Sequence, residues 1–466
     1  MALAVAVYTL SSRAAQNLAS NTTECLPSCA NQYRSLPGIV LSCLTTIFLC
    51  IWVALHLNVP EPVDTRGLSY IARFKIWIKS FVRCTVVPMF VTLVFPEWVL
   101  GIAVLQFTKA TKLAKSIRKL QDEKTEVTRQ HGFFILMGGF HLFERDPTLP
   151  TNEMGERNSE MARLLPNKSG IEAEVAWSTT GANRVEAFGK PIHPLDEFDV
   201  CRLIEVGKLV LPTPAELDDK CKSDGLAKFL VIAQTLWFIS QCIARKASEL
   251  PLTELEVITL GYTLLTVAMY IAWWDKPYRV KFPIRVYQAL PPRTNEQEEL
   301  KTDMEIADFW GLAFAYVTGT QGELTDLRSM KRIPMFHSGY ISDLWTFSDT
   351  SGMLTTIIVG MVFGAVHFLA WSSPMPSHHM QFLWRFATIV MTAAPPAAIV
   401  VLVFAQLIRN VLSKTMGDLI WYSLFLLPLL YLAGRGITIV LALVTLATLP
   451  LEAYRDVEWS DFFPHI

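Results

Sequence analysis

Charge is what this sequence has least of: Asp, Glu, Lys and Arg make up only 18% of its 466 residues. Soluble domains carry about 25%, so the composition excludes an ordinary water-facing globular chain. The net charge is −1, and no basic stripe with interleaved aromatics occurs, which speaks against nucleic acid as a partner. The eight cysteines form no CxxC pair and no Cys/His cluster at zinc spacing, so no metal site is expected. A G-x-G-x-x-G fingerprint, a P-loop, a Ser-His-Asp constellation, an Asp-rich prenyl-diphosphate motif and a histidine box are all missing, and no cofactor is implied. No internal repeat is visible either, which leaves an inverted-repeat transporter plan unsupported.

What the chain has instead is apolar length. It is 52% hydrophobic, its mean hydropathy is +0.33, and its 13 tryptophans and 27 phenylalanines suit interfacial belts. The expected fold is all-α: a polytopic helical membrane protein with six to eight membrane helices, a re-entrant segment and two cytosolic regions. Membrane lipids are then its first partners, in the endomembrane system or the plasma membrane.

Residues 1–37 read as a lumenal or extracellular segment. Asn21-Thr22-Thr23 is an N-glycosylation sequon, and Cys25 and Cys29 stand beside it as a disulfide candidate. Residues 38–107 hold the first span (38–57), an interfacial helix and a difficult apolar stretch. The interfacial helix is "SYIARFKIWIKSFVR", whose Arg73, Lys75, Lys79 and Arg83 alternate with bulky apolar residues. Next to it, residues 84–107 end in "LVFPEWVLGIAVLQF" and are flanked by basic loops on both sides, so full crossing would put a Lys-rich stretch outside. Pro88 and Pro96 suggest a re-entrant hairpin, with a new helix starting at Pro96 and Glu97 in its first turn. Residues 108–223 form the first cytosolic region, 224–275 a transmembrane helical hairpin, 276–350 a second cytosolic region and 351–466 a C-terminal transmembrane bundle.

"HGFFILMGGF", "KSDGLAKFLVIAQTLWFISQCIARKASELPLTELEVITL", "WWDKPYRVKFPIRV" and "DVEWSDFFPHI" resemble one large, mostly uncharacterised family of fungal multipass integral membrane proteins. The proline-glutamate segment "PEWVLGIAVLQF" is similar to that family as well. The resemblance implies a polytopic fold and carries no activity with it.

Two groups of residues invite a functional reading. Gln234, Trp237 and Gln241 share one helical face, either as interhelical amide glue or as the wall of a polar cavity, and with Arg435 they are expected to form an intramembrane polar cluster. Glu97 and Arg435 are the acid and the cation placed deepest among apolar residues, where an unpaired charge is costly. Glu97 is therefore an interfacial cap, the partner of Arg435, or the catalytic acid of an intramembrane enzyme on an apolar small molecule. The last reading would be an acid-initiated terpene or meroterpenoid cyclase, with aromatic walls steadying a cation. A transporter or channel is a further alternative, although it needs a polar path along several spans and only one such face is visible. The first expectation remains an integral membrane protein whose activity its sequence does not resolve.

Overall fold

The computed structural model describes residues 33–63, 65, 67–120, 126–144, 189–222, 225–290, 327–339, 347–411, 420 and 426–457, with side chains at 225–228, 347–350, 406 and 409 excepted. The glycosylation candidate Asn21 and the disulfide candidates Cys25 and Cys29 lie outside these residues.

Helix α1 (Leu36–Ala54) begins where the Ser35 side chain accepts from the Gly38 N–H, with proline in its first turn. Helix α2 runs without a stop from Tyr70 to Val94. The expectation of a separate interfacial helix followed by a proline-broken segment is thereby corrected at Pro88. Ahead of that proline the helix widens into a π-turn over Val82–Val86, where the Val87 N–H reaches back five residues to Val82 O. The wide turn takes up the missing N–H and the bulk of the ring, so the chain stays helical. The break comes instead at Phe95 (φ −131°, ψ 54°). Helix α3 (Pro96–Leu120) starts there, with Pro96 in a position that needs no donor and Glu97 in the first turn.

Beyond α3 come α4 (Arg129–Leu136), strands β1 (Phe140–Phe143) and β2 (Pro191–Pro194), and helices α5 (Glu197–Glu205), α6 (Pro214–Lys220), α7 (Gly225–Ala247) and α8 (Glu254–Ala272). Strand β3 (Ile284–Val286) and helices α9 (Phe347–Val366), α10 (His378–Val411) and α11 (Leu426–Thr445) complete the main elements. The strands form one small sheet in the order β2-β1-β3, antiparallel on one side of β1 and parallel on the other.

Among the described residues six helices are long and apolar enough to cross a membrane: Leu36–Ala54, Tyr70–Val94, Glu254–Ala272, Ser351–Ala370, His378–Ala405 and Leu426–Thr448. The architecture is that of an all-α polytopic membrane protein. One apolar core runs through the bundle and includes Ile47, Leu100, Val257, Tyr262, Phe363 and Trp384. A second gathers Phe134, Phe140, Leu195, Leu203 and Val286 around the sheet. Helix α3 belongs to both, because its first half packs against α8 and α9 and its second against α4. The α3–α9 crossing is close. A Cβ on Gly101 would lie 1.9 Å from Thr356 Oγ1 and 2.7 Å from Gly352 O, so small residues let these backbones approach, as in membrane helix pairs. Residues Tyr70–Phe81 of α2, in contrast, bury no side chain.

Candidate functional site

Glu97 and Arg435 meet. Arg435 Nη1 donates to Glu97 Oε1 at 2.8 Å and to Oε2 at 3.0 Å, and Tyr431 Oη donates to Oε1 at 2.7 Å. Both charged side chains are almost fully buried. The guanidinium also lies over the rings of Phe363 and Tyr262, 4.5 and 5.0 Å from their centroids. One salt bridge thus joins α3 to α11 inside a collar supplied by α8 and α9.

The position of this pair follows from helix rise. Gln106, nine residues after Glu97, accepts from the indole N–H of Trp273 at 2.8 Å, where α8 ends. At 1.5 Å per residue Glu97 stands about 14 Å from that end, and Tyr262 on α8 stands about 16 Å from it by the same measure. Tyr262 Oη donates to Leu93 O at 2.5 Å. That carbonyl precedes the Phe95 break, and the helical donor it would use is lost there. A tyrosine on a neighbouring helix supplies the missing bond, as broken backbone among apolar helices requires.

The amide face expected on α7 is divided. Gln234 Nε2 donates to Thr46 Oγ1 on α1 at 3.3 Å, which is the glue reading. Trp237 is about half exposed, at 49%, and Gln241 is intermediate. Arg435 is engaged elsewhere, with Glu97, Tyr262 and Phe363, so these four residues do not form one cluster.

At the opposite end of α8 the chain is clasped. Arg34 donates to Glu256 Oε1 at 2.5 Å and to Ala453 O at 2.7 Å. Arg245 donates to Arg455 O, Pro251 O and Ala453 O at 2.7 to 3.1 Å. Glu256 also closes the capping box on Thr253, and Glu254 accepts from Thr445 Oγ1.

A second polar centre lies at the Trp273 end. Lys276 is 3% exposed, and its Nζ donates to Asn58 Oδ1 at 2.9 Å and Gln106 Oε1 at 3.0 Å. Gln106 Nε2 donates in turn to His337 O, and Asn58 Nδ2 to Pro334 O. Burial pushes the amine down to about 7, because no carboxylate offsets the lost hydration. In the sequence Lys276 stands beside Arg279, Lys281 and Arg285 just after an apolar run and is not set apart from them. The only signal for its role was Gln106, a lone amide in an apolar run.

Above Lys276 opens a cavity of about 960 Å³. Thr111, Lys115 and Arg118 of α3 form one wall, Arg129 and Gln130 of α4 another, and Trp274, Asp275 and Tyr278 a third. Arg129 pairs with Asp275 at 2.8 Å and covers the Phe107 ring, while Gln130 donates to Asp218. His131 is spent on structure: its Nδ1 accepts from the Thr128 N–H, and its Nε2 bonds Pro212 O.

A family described as "Family of unknown function (DUF8562)" has a sequence model that matches residues 4–143 and 198–336. No curated protein and no solved structure is similar to the chain.

Proposed function

Because the chain belongs to that family of unknown function, we propose its role from the geometry alone: a multipass membrane protein that binds a small molecule in the cavity above Lys276. The cavity itself carries this reading. It is large enough for a small ligand, it lies where α3 and α8 leave the apolar bundle, and an exposed tryptophan, Trp274, stands at its rim. The resemblance to a fungal family supports a fungal source in this reading, and the membrane would be of the endomembrane system or the plasma membrane.

The topology that fits is one of eight membrane helices, α1–α3 and α7–α11. In it the Trp273 end is cytosolic, since Lys109, Lys112 and Lys115 gather there, and Asn21 is lumenal. Helix α2 lies along the interface up to its π-turn and then dips to mid-depth, and α3 returns to the same side. Support comes from the break at Phe95, level with Tyr262, and from the four cations and exposed aromatics of residues 70–83.

Glu97 acts in this reading as a structural partner. Both of its oxygens accept from Arg435 and one also from Tyr431, which argues against a catalytic acid. The test is native mass spectrometry of the purified full-length protein. A small molecule of constant mass should travel with the wild type and be lost from a cavity-filling Thr111→Trp variant that still melts cooperatively. Retention by both would move the site elsewhere. Turnover of an apolar substrate that Glu97→Gln abolishes without loss of stability would restore the enzyme reading.

A further inference from the structure

The walls of the cavity differ in what they offer a ligand. Two of its three acids are occupied, Asp275 by Arg129 and Asp218 by Gln130, and Glu126 is the third. Among its cations, Lys115 and Arg118 keep the most free donors. Arg118 uses Nε on Val127 O at 2.6 Å, which fixes the guanidinium plane. Its two terminal nitrogens, like the Lys115 amine one turn away, have no partner among the described residues. Arg129 keeps a buried Nε without a hydrogen bond. Lys276 forms the floor, its amine held by two amide oxygens and faced by the Trp273 ring at 4.9 Å.

Unpaired guanidinium and ammonium donors converging on one cavity match the several oxygens of a phosphate better than a single neutral acceptor. Depth adds the second half of the argument. Trp274 is 64% exposed at the end of an apolar helix, as tryptophans at headgroup level are. Basic pockets between helices at that level hold anionic headgroups.

We infer that this cavity binds a phosphate monoester, with Lys115, Arg118 and Arg129 on the phosphate and Trp274 beside whatever carries it. The inference rests on the cavity being the ligand site. It goes further by fixing the chemical class of what enters.

The experiment uses the full-length protein in nanodiscs of phosphatidylcholine alone, with phosphatidate or with diacylglycerol, and in detergent with glycerol phosphate. Native mass spectrometry and thermal melting are the readouts. Phosphatidate should be retained in preference to phosphatidylcholine and to diacylglycerol, which lacks the phosphate. Lys115→Gln with Arg118→Gln, two surface positions, should weaken retention about tenfold, the scale of one lost charge-assisted contact. A melting shift with glycerol phosphate in detergent would assign the same chemistry to a soluble ester, and retention confined to phosphatidate would assign it to a lipid. Equal retention of phosphatidate and diacylglycerol, or no change in the double variant, would overturn the phosphate assignment and leave the cavity as a ligand site. A wild type that carries nothing in any arm would overturn both.

Discussion

Three side chains decide most of what is unusual at the residue scale: Glu97, Arg435 and Lys276. The first two answer each other. Removing one partner of a buried pair leaves an uncompensated charge, at a cost of about 3 to 5 kcal/mol. Glu97→Gln and Arg435→Gln are therefore each expected to lower the melting temperature sharply. The double variant should fall well short of their sum, as coupling between contacting residues requires. Additive losses in that cycle would contradict the geometry of the pair. Lys276 has no carboxylate partner among the described residues and makes a different prediction. Its amine titrates near 7 in the folded protein against 10.5 ordinarily. Between those values the unfolded chain holds a proton that the folded one has released, so stability should rise with pH across that window, by about 1.4 kcal/mol per unit at most. Below pH 7 both states are protonated and the full penalty of a buried ammonium remains. Melting curves from pH 6.5 to 9.5 should show this rise, and Lys276→Met should flatten it.

Elements were legible in the sequence in proportion to their length. Uncharged runs such as 38–57 announce α1, since nothing else accommodates them. Pro96 announces the start of α3, because the first turn of a helix is where a proline ring costs no hydrogen bond. Pro88 misled: a π-turn is a property of backbone pairing, and no residue type signals it. The sheet was missed for a different reason. Its strands have 4, 4 and 3 residues, too few for an alternation to register. The Gly101 crossing was equally invisible, as a glycine in an apolar helix does not name the helix it meets. It supports a clear expectation. Gly101→Leu should drive α3 from α9 and cost more than the 1 to 3 kcal/mol usual for overpacking, because the obstacle is partly the Gly352 carbonyl. Gly436→Ala, where nothing lies within 4 Å, is the control that should leave the melting temperature unchanged.

Across the whole molecule, residues 33–34 and 453–455 meet at one end of the bundle through the Tyr33–Arg455 bridge and the Arg34 contacts. That meeting suits the proposed topology, in which α2 and α3 are a re-entrant pair and the crossings are even in number. Cysteines introduced at Thr65 and Thr111 are expected to label from the same side, opposite to one placed at Gln32. Opposite labelling of the first two would end the re-entrant reading of α2. Why the Glu97–Arg435 match could be anticipated from sequence, and Lys276 could not, is also a matter of scale. Isolated charges in hydrocarbon need one another whatever the fold. Lys276 is buried only because Asn58 and Gln106, far away in sequence, come to it.

The pair at the centre also bears on how the protein is made. Glu97 and Arg435 are separated by 338 residues. At about 5 to 20 residues per second, the ribosome delivers the arginine roughly 17 to 70 s after the acid. Tyr431 emerges just ahead of Arg435, so the acid lacks two of its hydrogen-bond donors throughout that interval. In the proposed topology the dip of residues 84–107 into the bilayer should then be a late event in biogenesis, with the segment waiting at the membrane surface until α11 arrives. Nascent chains stalled before residue 426 should leave Glu97 open to aqueous labelling, and chains released after residue 450 should close it.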